Sequence, residues 1–478
     1  MVDDIHSAVD ISNLIKSRKI SCTEVLDDCI QKIESKNKSI NAFSYTDYEY
    51  AKKKAAIADS KLMSGDAKGH FFGIPTAAKD FFPSIPGWPT TYGGVKCLSK
   101  IISTSYNLYT LSMVNSGAIF VGRTNSPSFG FRGTTDNKMF GATSTPFKPG
   151  YNSGGSSGGS GAAVGANILK IAEGSDAGGS IRVPAAWCNS YGFKASAGTI
   201  PVSSKPNVYN TMNPYCFDGC ITQTVKDSAY CLQLLSKYDP YDPTCIDFGK
   251  RDFISALNNS IKGKKVAYTS NFGIFPVDSE IINITRASAM RLKEAGAEVE
   301  EVDFKFNYSA YELSELWCRC IMINTMEIFE NFKKQGIDML KDHRDELPEQ
   351  LIFWLEDTYK RTYLDLQRDQ VMKSDIFIGI QKVFNEYDYI ISPVTICHPV
   401  KNTDNTVGPS EYMGQKIDPL LGFALTFFYN LTGHPACSIP AGMSVDGFPV
   451  GMQIASKLHH DEELIAISST FEKIQPWC

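Results

Sequence analysis

Two stretches of the chain gather residue types that can do covalent chemistry. One, Tyr151 to Trp187, reads YNSGGSSGGSGAAVGANILKIAEGSDAGGSIRVPAAW. The other, GIPTAAKDFF, sets Lys79 beside Phe81 and Phe82, soon after Phe71 and Phe72. Gly/Ser-rich segments are ordinarily flexible linkers, but the apolar run AAVGANILKIA is out of place in one. A phosphate-cradling loop needs a Gly-Lys pair that is missing here. A dinucleotide fingerprint also fails: Gly159, Gly161 and Gly165 are spaced too widely, with no acidic residue at a ribose distance.

The hydroxyls remain. Ser180 follows Gly178 and Gly179, which let the backbone bend and leave its amides unhindered. The N–H groups of Ala177, Gly178, Gly179 and Ser180 can converge on one negative oxygen, as an acyl-transfer oxyanion hole requires. A serine nucleophile needs a base. The seven histidines occupy unpromising contexts, and the best of them, His434 in TGHPACSIP, reads as structural. Lysine becomes a base when burial lowers its pKa, which leaves Lys79 as the candidate. No carboxylate or histidine arrangement suggests a metal, and neither a metal nor a cofactor is expected.

The elements that must carry these groups alternate in type. Residues 7–36 show helical periodicity, with SCTE forming a capping-box pattern at Ser21 and Glu24, and a third helix is predicted over Tyr48 to Met63. From Gly117 onward, strand-like runs (AIFVGRTN, KKVAYTS, DYIISPVT, PVGMQIAS) alternate with helical ones. That pattern predicts an α/β layered fold around a central mixed, mostly parallel twisted sheet flanked by helices. We read residues 1–478 as a single domain. Its parts are an N-terminal helical segment (1–66), a core with the lysine and both serines (71–238), a variable helix-rich covering region (239–374) and a C-terminal part of the core sheet (375–478).

With 43% hydrophobic and 21% charged residues and a net charge of −5, the 478-residue chain reads as a folded globular protein with no basic run. Nucleic acid and anionic membrane are poor partners for such a surface. The acidic N-terminus does not resemble a secretory signal. The thirteen cysteines are dispersed without CxxC spacing, as expected of buried thiols in a reducing cytoplasm.

In order and spacing, GIPTAAKD, GGSSGGSGAAVG and GSDAGGSIRVPA are similar to the motifs of the amidase signature family of serine hydrolases. The resemblance continues through GRTNSPSFG, FGATSTPFKP and NLTGHPACSIPAGMSVDGFPVGMQI, covering nearly the whole chain. It implies Ser180 as nucleophile, Ser156 as a bridging serine preceded by a cis peptide, and Lys79 as terminal base. It further implies hydrolysis of a small linear or cyclic amide through an acyl-enzyme. Ser157, Asp176 and Arg182 are expected to support the site, the last two by an ion pair or hydrogen bonds that fix the nucleophile loop.

IRVPAAWCNSYGFK and PAGMSVDGFPVGMQI most resemble the bacterial branch that includes 6-aminohexanoate cyclic dimer hydrolase. By that likeness Cys320, in CIMINTMEIFE, either reaches the substrate or is a buried helix cysteine. Trp187, Phe427 and Tyr429 are candidates for an apolar substrate pocket, and Asn125 either orients substrate or caps a turn. The chain departs from many relatives at ASAGTIPVSS, a loop on the family's substrate side. The family's other activities, as a glutamine-hydrolysing amidotransferase component or as an esterase or carbamate hydrolase, are alternatives. The substrate motif usual in the amidotransferase component is missing, and a homodimer is the default assembly.

Overall fold

Ser21 and Glu24 close a reciprocal cap, each side chain accepting from the other's backbone N–H, and the helix Cys22–Ile40 starts there. Ahead of it lies Ala8–Lys16, and Tyr48–Met63 follows as the sequence predicts. These observations come from a computed structural model that describes residues 5–202, 207–209 and 215–478. The end of ASAGTIPVSS, Ser203 and Ser204, lies outside the described residues.

Eleven strands matter for the site: β1 (Phe43–Thr46), β2 (Pro75–Lys79), β3 (Ile119–Thr124), β4 (Ile171–Asp176), β5 (Tyr191–Lys194), β6 (Phe217–Thr222), β7 (Lys265–Tyr268), β8 (Glu298–Glu301), β9 (Tyr389–Pro393), β10 (Ala436–Met443) and β11 (Pro449–Ser456). A three-stranded sheet runs β1-β3-β2 and an eight-stranded one β8-β7-β9-β11-β10-β5-β6-β4. The architecture is α/β with a large mixed sheet flanked by helices. It is not mostly parallel: only β8 with β7 and β7 with β9 run parallel in the large sheet, and its other pairs are antiparallel. Alternating strand-like and helical runs specify layers, but strand direction depends on the connections. A tight turn at Asp446–Gly447 folds β11 back on β10, and no periodicity announces that. β7 and β8 fall within 239–374, so the region expected as a cover also supplies sheet strands.

The helix Gly158–Gly165 is made of GGSGAAVG, a poor helix former by composition. Packing explains the glycines. A Cβ on Gly159 would lie 2.3 Å from the Asn125 nitrogen, and one on Gly165 2.2 Å from the Cys188 oxygen. Only bare backbone lets this helix sit against the end of β3 and the helix Arg182–Trp187, fixing the two serine loops relative to each other. Ile181 belongs to the apolar core of the N-terminal helices, and Val183 to an aromatic-rich core that includes Trp317, Phe329 and Phe427. The nucleophile turn is therefore held where two cores meet.

Candidate active site

β2 delivers Lys79 at its last residue, and β4 lies alongside, with the Thr76 hydroxyl donating to the Ile171 carbonyl at 3.0 Å. Strand alternation puts Glu173 and Ser175 on one face of β4, and both meet Lys79. The Lys79 backbone N–H donates to Glu173 Oε2 at 2.7 Å, and Nζ lies 2.7 Å from Ser156 Oγ and 2.9 Å from Ser175 Oγ. The lysine is buried. Desolvation brings its pKa down to about 7, against the opposing charges of Glu173, Asp176 and Asp218. Burial likewise lifts Glu173, with the Asp218 charge adding to the effect.

A second buried lysine tests that assignment. Lys194 is also held well below the ordinary lysine value by burial. Its Nζ, however, donates to the Ala195 carbonyl and lies 3.8 Å from the centre of the Phe217 ring. Only Lys79 of the two bonds to a serine.

The Gly155–Ser156 peptide is cis. A side chain on Gly155 would run into the Thr134 carbonyl oxygen, 2.5 Å from the added Cβ. Ser157 is tied to both serine loops: its N–H donates to the Ser180 carbonyl at 3.2 Å, and its Oγ accepts from the Ser175 N–H at 3.3 Å. Ser156 and Ser180 are thus on adjoining backbone, and both are buried.

Asp176 organises the turn before Ser180. Its carboxylate accepts from the amides of Gly179 (2.7 Å) and Ile181 (3.2 Å), from Arg182 Nε (3.0 Å) and Nη2 (2.9 Å), and from Asn430 Nδ2 (2.9 Å). Burial alone would raise its pKa, but the Arg182 charge with the Arg182 and Asn430 hydrogen bonds holds it at about 2. Asp176 is therefore a fixed anion that shapes the loop.

The expectation of four convergent amides needs correction here, because the Gly179 N–H is committed to Asp176. The amides of Ala177, Gly178 and Ser180 have no acceptor among the described residues. The carbonyls of the same turn are pinned from outside. Trp317 Nε1 donates to the Ala177 oxygen (2.7 Å), Thr426 Oγ1 to the Gly178 oxygen (2.5 Å), and the Val183 N–H to the Gly179 oxygen (2.7 Å). In a trans peptide the C=O and N–H point opposite ways, so Trp317 sets the direction of the Gly178 N–H and Val183 that of Ser180. Gly179 has φ +133, and a Cβ there would fall 2.0 Å from Thr426 Oγ1. No other residue fits this position.

The proposed substrate residues fare differently. Asn125 is fully buried, donating to the Gly141 carbonyl and Thr143 Oγ1 and accepting from Asn137, so its amide is spent inside the fold. Trp187 stacks on Phe423 at 5.4 Å, Phe427 packs on Phe428 at 5.0 Å, and Tyr429 is fully enclosed. All three are buried in the aromatic-rich core. Cys320 is buried, its thiol pushed up to about 12 by desolvation, with Lys373, Asp369, Arg319 and Arg361 as its charged neighbours. Trp317, one helical turn earlier, reaches the nucleophile loop instead, through the Ala177 carbonyl. Phe81 stands 5.2 Å from Lys79 Nζ, and Phe82 is exposed beside it. His434 is buried between Thr432 and Gln381, its pKa depressed to about 3 by burial.

Sequence reasoning missed Ser175, Glu173, Trp317 and Thr426. The first two carried a signal, since they share a face of β4; the other two come from remote segments and carried none.

The Amidase family profile matches residues 24–465. An acylamidase of Rhodococcus erythropolis is 31% identical over 98% of this chain and 96% of its own length. A glutamyl-tRNA(Gln) amidotransferase subunit of Geobacillus thermodenitrificans is 30% identical over 98% and 97%. Among solved structures, a bacterial aryl acylamidase of the amidase signature family superposes with a TM-score of 0.95 at 40% identity, covering 98% of this chain and 96% of that one. 6-Aminohexanoate cyclic dimer hydrolase superposes at 0.86 with 25% identity over 98% and 97%. The likeness to the aryl acylamidase is thus the stronger of the two, where the sequence pattern pointed to the other branch. The buried lysine, the serine pair and the match along nearly the whole chain agree: this protein belongs to the amidase signature family and is an amide-hydrolysing enzyme.

Proposed function

We propose that the enzyme hydrolyses small acyl amides with an apolar or aromatic amine portion, through an acyl-enzyme on Ser180. One observation carries the mechanism: a buried Lys79 whose Nζ lies 2.7 Å from Ser156 Oγ, with its pKa near 7. Neutral Lys79 takes a proton from Ser156 as Ser156 takes one from Ser180, whose Oγ attacks the amide carbonyl. Ser175 fixes the amine by accepting one of its N–H groups. The Gly178 and Ser180 amides meet the developing oxyanion, and Asp176 and Arg182 hold the turn that presents them. The proton returns through Ser156 to the leaving nitrogen, and water then frees the acyl group. Phe81 and Phe82 supply apolar surface beside the lysine, and the acylamidase relatives support an aryl amide over glutamine.

The site is read as complete in one chain and needing no cofactor. Dispersed and mostly buried cysteines fit a reducing cytoplasm. No helix among the described residues is long and apolar enough to cross a membrane. A homodimer is the default assembly.

The test is a matched panel of p-nitroacetanilide, the corresponding ester and carbamate, and glutamine, with a fluorophosphonate label mapped by mass spectrometry. Anilide turnover lost in S180A, with the label on Ser180, is the expected result. Full anilide turnover in S180A overturns the mechanism, and turnover of glutamine alone overturns the substrate class.

A further inference from the structure

Cys97 and Glu346 are 249 residues apart, yet the Cys97 backbone N–H donates to Glu346 Oε2 at 2.6 Å. The contact joins two short turns. Cys97 sits in the 3-10 turn Lys96–Leu98, and Glu346 ends Arg344–Glu346, with the Glu346 N–H closing on the His343 carbonyl at 3.0 Å. Residues three apart in such a turn share a face, which sets His343 beside Glu346 with Nδ1 3.3 Å from Oε1. The Cys97 thiol completes the group: Sγ, the imidazole nitrogen and a carboxylate oxygen all lie within 4.8 Å of one another.

We propose that Cys97, His343 and Glu346 form a binding site for a borderline divalent cation of the zinc type, with a fourth position left to water. Three arguments carry it. Thiolate, imidazole and carboxylate make a donor set that suits Zn2+, whereas Mg2+ and Ca2+ take oxygen donors. Bonds of about 2.0–2.2 Å from a tetrahedral ion to N and O put those donors about 3.3–3.5 Å apart, and the His343–Glu346 pair is already at 3.3 Å. The Cys97 sulfur, within 4.8 Å of both, would have to move inward to complete the set. Charge balances as well, since one thiolate and one carboxylate neutralise the dication. Binding breaks the Cys97 S–H bond, forms the metal–sulfur bond and releases the proton to solvent.

The bound ion would clip the loop after β2 to the helical region around 339–347. Both pack on one core, whose Tyr92 meets Phe332 (5.1 Å) and, at its edge, the exposed Phe82 (6.2 Å). The clip would therefore stiffen a wall that reaches Phe81 and Lys79.

The experiment titrates the chelator-treated full chain with Co2+ and then displaces it with Zn2+. A near-ultraviolet sulfur-to-cobalt charge-transfer band at one ion per chain is expected, together with a thermal midpoint raised by Zn2+. C97S should abolish the band. H343A and E346Q should weaken binding by at least about tenfold, in line with losses seen when metal-site partners are removed. C478S, which removes the exposed terminal thiol, should keep the band. If C97S does not fold, H343A carries the same test, because its ring is 35% exposed. A band that persists undiminished in C97S or H343A, or no band in the parent chain, overturns the proposal and leaves the cluster as a hydrogen-bonded joint.

Discussion

Replacing Trp317 by phenylalanine removes one hydrogen-bond donor while keeping an aromatic ring in the same socket. The indole N–H holds the Ala177 carbonyl at 2.7 Å, and Trp317 is 3% exposed, so water does not readily replace it. An unsatisfied buried carbonyl costs about 1–3 kcal/mol. If that loss falls on the orientation of the Ala177–Gly178 peptide, the Gly178 N–H is no longer aimed when the oxyanion forms. At 1.36 kcal/mol per factor of ten, kcat should then fall by about 5- to 150-fold. Complete loss of an oxyanion donor, about 10²- to 10³-fold, is the ceiling. KM should change little, because the donor is strongest for the tetrahedral species. Initial rates on p-nitroacetanilide, with a urea melt to confirm folding, make the measurement. A folded W317F with kcat within twofold of the parent refutes the reasoning, and a fall in stability with kcat intact would make Trp317 a packing residue only.

Two further perturbations address the base and the anion beneath it. If neutral Lys79 is the base, kcat/KM rises with pH through about 7, since the protonated amine cannot accept a proton. The Asp218 carboxylate favours the ammonium form, so D218N should move that acid limb to lower pH; an unmoved limb, or one moved upward, contradicts the electrostatic account. D176N leaves a fully buried Arg182 without its carboxylate, a loss of about 3–5 kcal/mol for a broken buried pair. Its urea midpoint should drop accordingly, and an unchanged midpoint would show that Thr426, Asn430 and Gln453 suffice to hold the guanidinium.

What the chain disclosed in one dimension follows the range of the interactions involved. The Ser21–Glu24 cap and the helix Tyr48–Met63 rest on neighbours three or four residues apart, so their signals survive in the sequence. Lys79 and Ser180 stood out because their stretches carry unusual local composition, whereas Ser156 was named only through the family resemblance. Ser175 and Glu173 were half legible, visible once Ile171–Asp176 is taken as a strand and its alternation read. Strand direction was not, because pairing of β5 with β10 depends on where two distant connections return the chain. Asn125 misled for the opposite reason: proximity to motifs in sequence says nothing about whether a side chain is spent on hydrogen bonds inside the fold. Trp317 and Thr426 lie 140 and 248 residues from the carbonyls they bind. Their role is to fix peptide planes, a task that any well-placed donor can perform and that no residue type advertises. Lys79, Ser156 and Ser180 lie in motif stretches, and so does Val183, which fixes the peptide plane before Ser180, whereas Trp317, which fixes the plane before Gly178, comes from the helix-rich region 239–374. Substitution of Trp317 is therefore expected to lower kcat without touching the lysine or either serine.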